Sequence, residues 1–278
     1  MKKATYFTFI VTFLLFLGCK EQALKEQIIS LNGEWQIAET NQKDIFPEKF
    51  TSKIPVPSLI DLATPKFPKL EYPNDTLRYF WYQKTFSVNH ENADVVELEL
   101  RKVKYEAHIY INGKKAGQQN IAFSSGKFDI KRYLNKGDEK NELLIRIGTR
   151  ENFTDSLISG ADFEKKTFFP GIYDDVNLIL KKAPYIEQLQ IVPNINTNNV
   201  AAFVDIKRLG SENPYKVDYE ILEHKTQKVI ASGTKEFSIN SIQIDIPLDN
   251  YQLWSPENPF LYDLKFLIAG DGEDRQKI

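Results

Sequence analysis

Few side chains in this sequence could do chemistry alone. The one cysteine, Cys19, follows an apolar run, so the chain can form neither an internal disulfide nor a thiolate metal cluster. His90, His108 and His224 are scattered, and no Cys/His set has metal-ligand spacing. No metal site or cofactor is assigned, although a carboxylate-only Ca²⁺ or Na⁺ site stays open. Glu97 and Glu99, like Asp218 and Glu220, stand two apart in alternating runs. That spacing puts both members of each pair on one face of a strand. The pattern around them reads as solvated strand faces, so no catalytic residue is assigned.

The elements that would carry such residues are strands. Val96, Leu98 and Leu100 alternate with polar residues, as do Ala107/Ile109/Ile111, Leu143/Ile145/Ile147 and Val176/Leu178/Leu180. Farther on come Ala202/Val204/Ile206, Val217/Tyr219/Ile221, Ile242/Ile244/Ile246 and Tyr262/Leu264/Phe266/Ile268. A period of two marks half-buried strands. Asn112-Gly113 and Asp271-Gly272 are two-residue hairpin signals, because both residue types tolerate positive φ. Many short strands with frequent turns predict an all-β chain of sandwiches or barrels. Arg132-Tyr133-Leu134 is at best one helical turn. A strand ends at Lys181-Lys182-Ala183-Pro184, which sets the expected boundary between a first domain, 28–183, and a second, 184–278.

At 278 residues the chain has room for two domains. Hydrophobic residues at 42% and charged residues at 27% are ordinary for a globular protein, and the 13% aromatic content favours strands. The formal net charge of −2, with no basic block, argues against a nucleic-acid partner. Lys2-Lys3 followed by an apolar run over 4–18 reads as a secretory signal, shorter than the roughly 20 apolar residues of a membrane-spanning helix. Phe16-Leu17-Gly18-Cys19 resembles a bacterial lipobox, with Gly18 fitting and Leu17 and Phe16 departing from the usual residues. The expectation is a signal peptide over 1–18, a lipidated Cys19 with a linker to residue 27, and an exported protein anchored to a bacterial membrane.

Five further segments occur in order: Leu31-Asn32-Gly33-Glu34-Trp35, Trp81-Tyr82-Gln83-Lys84-Thr85-Phe86, Ala107-His108-Ile109-Tyr110-Ile111-Asn112-Gly113, Pro170-Gly171-Ile172-Tyr173-Asp174-Asp175, and Leu253-Trp254-Ser255-Pro256-Glu257-Asn258-Pro259. The first four resemble the sugar-binding jelly roll of family-2 glycoside hydrolases, the group of β-galactosidases, β-glucuronidases and β-mannosidases. The fifth resembles the immunoglobulin-like sandwich that follows it. Each segment also has a structural reading. Trp35 plugs a core, the Asn-Gly pairs supply turns, and the proline-rich 254–259 run crosses between strands because proline cannot continue a ladder.

The resemblance implies a retaining exo-β-glycosidase whose two catalytic Glu residues lie on a following (β/α)₈ barrel. Such chemistry needs two carboxyls about 5 Å apart, and a barrel needs about 250 residues. Neither the barrel nor its residues are expected within this sequence. The resemblance further implies that a jelly-roll loop reaches the terminal β-linked sugar through an acidic side chain. The matching stretch is 159–170, with Asp162 as the first candidate, Glu164 as the second, and Asn74 as a further contact. Carboxylates suit this task because they accept hydrogen bonds from vicinal hydroxyls. The chain is expected to stop inside the last strand of the second sandwich, after the Asp271-Gly272 turn, with the returning strand starting near Asp274. Three readings follow: the non-catalytic carbohydrate-binding and scaffold portion of a glycosidase, inactive alone; a stand-alone glycan-binding surface lipoprotein; or a structural partner of a separately encoded barrel.

Overall fold

The computed structural model describes residues 26–43, 45–70, 77–149, 152, 169–207, 214–270 and 272–277. Its first unit contains thirteen strands: β1 (Gln27–Ser30), β2 (Gly33–Thr40), β3 (Ser52–Val56), β4 (Ser58–Leu59), β5 (Tyr79–Phe86), β6 (Val95–Leu100), β7 (Val103–Lys104), β8 (Ala107–Ile111), β9 (Lys114–Gln119), β10 (Gly126–Asp129), β11 (Asn141–Gly148), β12 (Gly171–Ile172) and β13 (Val176–Lys181). A four-stranded sheet, β1-β13-β6-β10, faces a six-stranded sheet, β3-β2-β5-β11-β8-β9, with a small β4-β12-β7 sheet beside them. Helix among the described residues is confined to short 3₁₀ turns such as Ile60–Leu62 and Lys131–Tyr133. No helix among them is long and apolar enough to cross a membrane.

Strand alternation builds the core of this unit. Ile37, Phe80, Tyr82, Ile109, Ile145 and Ile147 point inward from the large sheet to meet Val96, Leu98, Leu100, Leu178 and Leu180 from the small one. Trp35 is 1% exposed, its indole N–H donating to the Leu31 carbonyl at 2.8 Å and its ring meeting Tyr82 edge-on. That satisfied polar tip lets a large aromatic sit fully inside. Asn112 and Gly113 close the β8–β9 hairpin at φ 50° and 75°, both positive as a tight hairpin of this type requires. The Asn112 amide also donates to the Tyr133 carbonyl and to Asn141 Oδ1, which ties the hairpin to the start of β11.

One sequence expectation is corrected here. Glu97 and Glu99 do not form a solvated face: Glu99 is 9% exposed, and Lys181, itself 5% exposed, lies 2.7 Å from Glu97. Asn177 donates to Glu99 at 3.1 Å. The reason is cross-strand crowding, since Asn177 and Ile179 of β13 and Lys127 and Asp129 of β10 stand opposite these positions. Burial of a carboxylate demands partners, and the strand register supplies them.

The second unit comprises β14 (Tyr185–Asn194), β15 (Asn199–Lys207), β16 (Tyr215–Glu223), β17 (Val229–Phe237), β18 (Ser241–Pro247), β19 (Tyr262–Gly270) and β20 (Gly272–Lys277). Sheet β14-β15-β18 packs on sheet β17-β16-β19-β20 around Val204, Ile206, Val217, Ile244, Phe266 and Ile268. The fold is therefore a jelly roll followed by an immunoglobulin-like sandwich. Residues 248–261 carry the chain from β18 in one sheet to β19 in the other. Ser255 and Asn258 bond each other's backbone both ways within that crossing, at 3.0 and 3.1 Å. The final strand begins at Gly272 rather than near Asp274, because Gly270 already faces Gly272 across the turn. Asp271 lies outside the described residues.

Candidate functional site

Asp162, Glu164 and Asn74, and also Cys19, lie outside the described residues. The structure does place the ends of the two segments that carry the three sugar-contact candidates. The 71–76 stretch leads, through Leu77 and Arg78, into Tyr79 at the start of β5, and the 150–168 stretch leaves Gly148 at the end of β11. Tyr79 and Gly148 are register partners in the large sheet. Antiparallel pairing thus makes both segments spring from one end of that sheet.

A charged network underlies this end. Arg78, 6% exposed, grips both oxygens of Glu39 through Nε and Nη2, the latter at 2.9 Å, a bidentate pairing that fixes orientation as well as charge. Its third nitrogen donates to the Lys69 carbonyl, bracing the chain just ahead of 71–76. Across the sheet, Arg146 is fully buried on β11, donates to the Lys43 carbonyl and lies 3.7 Å from Glu106. Glu106 pairs with His108 at 2.6 Å. That hydrogen bond, helped by the charges of His108, Lys43 and Arg146, holds the Glu106 carboxyl below its ordinary value against the opposing effect of burial. Thr149 and Asn152 then shape the exit from β11, the Asn152 carboxamide oxygen accepting from both the Thr149 amide and hydroxyl.

The return of the 150–168 stretch is equally fixed. The Pro170 carbonyl accepts from the Ile60 amide at 3.0 Å, and β12 pairs with β4 and β7 on either side. Gly171 is required there: a Cβ would stand 2.4 Å from the Ser58 carbonyl oxygen. Lys102 bonds Asp174 at 2.8 Å and holds its carboxyl below the usual range, while Asn32 donates to Asp175 at 2.8 Å and accepts from the Val176 amide. Asn32 therefore does more than make a turn; it staples β1–β2 to the 174–176 segment. Tyr173 is half-buried, its hydroxyl donating to the Ala122 carbonyl at 2.7 Å and its ring meeting Phe123 edge-on. Burial, with Asp174 adding to it, pushes the Tyr173 hydroxyl up to about 12.

The arrangement is a rigid collar around two segment ends. Within it Glu39, Glu106 and Asp174 are paired with the cations Arg78, Arg146 and Lys102, and Asp175 accepts from the Asn32 amide. Among the described residues no group of three or more His, Cys, Asp or Glu could hold a metal ion. Sequence reasoning missed the outer face of the large sheet. The Phe46 ring lies against Trp81 and edge-on to Tyr110 there, at 4.8 and 5.1 Å, and the Lys43 carbonyl accepts from Arg146, so Lys43 and Phe46 lie over the face that bears Arg146. The signal was present: Trp81, Tyr110 and Arg146 alternate with the inward residues, and two aromatics are out of place on a wet face.

Residues 35–185 match the family described as "Glycosyl hydrolase 2 galactose-binding domain-like", and residues 184–278 match "Glycosyl hydrolases family 2". The chain belongs to glycosyl hydrolase family 2. Among its family-2 relatives, a β-galactosidase from Streptococcus thermophilus is 25% identical over 275 residues, covering 88% of this chain and 26% of the relative. The large subunit of a β-galactosidase from Leuconostoc lactis is 28% identical over 185 residues, covering 66% of this chain and 28% of the relative. The chain thus spans little more than a quarter of the length of these curated relatives. The same fold recurs in a putative β-galactosidase from Bacteroides fragilis (17% identity, TM-score 0.74, 92% of this chain and 40% of that one). It recurs also in a β-D-mannosidase from Dictyoglomus thermophilum (20% identity, TM-score 0.67, 91% of this chain and 36% of that one).

Proposed function

We propose that this family-2 chain is the non-catalytic, carbohydrate-binding and scaffold portion of a retaining exo-β-glycosidase. In this reading Asp162, with Glu164 and Asn74, grips hydroxyls of a terminal β-linked sugar. The acid/base and nucleophile are two carboxyls on a catalytic barrel, supplied in the same polypeptide or by another. Export and lipidation at Cys19 hold the assembly at a bacterial membrane.

The observation that carries the reading is the register pairing of Tyr79 with Gly148, which makes the Asn74 and Asp162 segments leave one end of one sheet. The braced ends supply the preorganisation that a sugar-gripping loop needs, since ordering a free loop on binding costs affinity. Titration calorimetry with methyl β-galactoside, β-glucuronide and β-mannoside tests it. Heat is expected with one of the three and is lost in Asp162→Ala. No heat from the parent protein with any of them overturns the sugar-gripping role.

A further inference from the structure

Ala202, Val204 and Ile206 of β15 point into the core of the second sandwich, so Ala201, Phe203 and Asp205 point to the outer face of the β14-β15-β18 sheet. β15 is the middle strand. Phe203 therefore stands at the centre of that face, with Gln190 of β14 directly opposite on one side and Gln243 of β18 on the other. Its ring is 41% exposed and both glutamines are exposed, whereas Trp81 on the outer face of the first unit is fully buried against Phe46. Opposite residues on an antiparallel pair have Cβ atoms about 5 Å apart, so the two carboxamides flank the ring within reach of anything laid on it. The next outward residue of β15 on one side is the half-buried Asp205, and on the other Ala201 faces the exposed Asp245. Gln243 donates to Asp245 at 2.9 Å, which holds both side chains in place.

A ring bordered by amides and carboxylates has the chemistry of a sugar platform. The electron-rich ring face takes the C–H face of a pyranose, the carboxamides donate to and accept from its hydroxyls, and the carboxylates accept from them. The size agrees. Three strands and the stretch from Ala201 to Asp205 span about 10 Å by about 14 Å, the footprint of a short oligosaccharide and far below the roughly 800 Å² per partner of a stable protein interface. The charge agrees as well. Lys207 lies 3.8 Å from Glu187 and so is matched, while Asp205 and Asp245 leave the face negative, which disfavours uronates and sulfated sugars. We infer that Phe203, with Gln190, Gln243, Asp205 and Asp245, forms a binding platform for a neutral oligosaccharide. It lies in the second sandwich, outside the span 35–185 that matches the galactose-binding description, and it uses none of Asp162, Glu164 and Asn74. A flat sheet face takes the flank of a glycan chain and not only its end, so this platform holds an internal stretch and stands apart from the proposed grip on a terminal sugar.

The test is nuclear magnetic resonance of the whole purified chain, reading the side-chain amide signals of Gln190 and Gln243. The probes are the neutral β-linked hexasaccharides of galactose, mannose, glucose and xylose, with hexagalacturonate as the charged control. The expected result is that one neutral probe shifts both signals and hexagalacturonate shifts neither. Phe203→Ala is expected to weaken that binding by at least about tenfold, as loss of one buried ring face should. Phe203→Tyr is expected to keep it, and Asp162→Ala to leave it unchanged. Gln190→Ala, a change at an exposed side chain, serves as the second variant and is expected to weaken binding too. No shift with any neutral probe overturns the platform, as does binding that Phe203→Ala and Gln190→Ala leave intact. Binding lost in Asp162→Ala but kept in Phe203→Ala overturns the platform and leaves the proposed function standing. Tighter binding of hexagalacturonate than of every neutral probe overturns it, and so does a dimer that Phe203→Ala dissolves, because a second copy would then occupy the face.

Discussion

The first sandwich covers the aromatic outer face of its large sheet with its own chain, whereas the second leaves a tryptophan, two leucines and two isoleucines around an open cleft. In the first, Phe46 closes over Trp81 and Tyr110, and the charges beneath are matched pair by pair. In the second, residues 248–261 are braced by their own hydrogen bonds yet present apolar side chains outward. The first unit also exposes apolar side chains, Ile121 and Phe123 among them, so the contrast lies in arrangement: in the second unit five such side chains gather around one cleft.

The contrast between the two tryptophans breaks or sharpens this comparison most directly. Trp35→Ala removes a ring that is 1% exposed and is expected to destabilise the first sandwich by about 3–5 kcal/mol in urea unfolding. Trp254→Ala removes a ring that is 59% exposed and is expected to change the stability of the second sandwich by no more than about 0.5 kcal/mol. A large loss from Trp254→Ala would show that this ring holds the sandwich together, and the distinction between the two units would go.

A smaller effect separates their electrostatics. Glu106 is held below its ordinary pKa in the folded state, so its contribution is present above the unfolded value near 4.5 and is lost as pH falls through the folded value. Urea midpoints followed from pH 6 down to pH 3 should therefore decline for the first sandwich, and Glu106→Gln should flatten the lowest part of that decline. The exposed His224–Asp263 pair of the second sandwich should contribute less, and that little should vanish in salt, because solvent screens it. An acid profile that Glu106→Gln leaves unchanged would remove the buried network from the account.

Much of the frame was legible in the sequence. The inward residues of β6, β8, β11 and β13 are the ones the period of two selects, and Asn112-Gly113 turns where the residue types require. What alternation could not reveal is the fate of the opposite face. Glu97 and Glu99 look wet in sequence, but partners from β10 and β13, distant along the chain, close over them. The cover of Trp81 and Tyr110 comes likewise from a segment with no strand pattern. The 254–259 crossing was legible from its prolines, but the outward aim of Trp254 depends on how the whole crossing seats between two sheets. Asp162, Glu164 and Asn74 are candidates through family resemblance alone and lie outside the described residues. The register of β5 and β11 then brings their segment ends together, which no local pattern could have shown.

The proposed function has this chain frame and grip a sugar while the catalytic carboxyl pair is supplied by a barrel. Assay of the purified chain with nitrophenyl β-galactoside, β-glucuronide and β-mannoside tests it most directly, because glycoside cleavage of the retaining kind needs two carboxyls about 5 Å apart flanking the bond. The account predicts no turnover above the buffer blank with any of the three. Turnover that survives purification to homogeneity, and persists in Asp162→Ala, would contradict it.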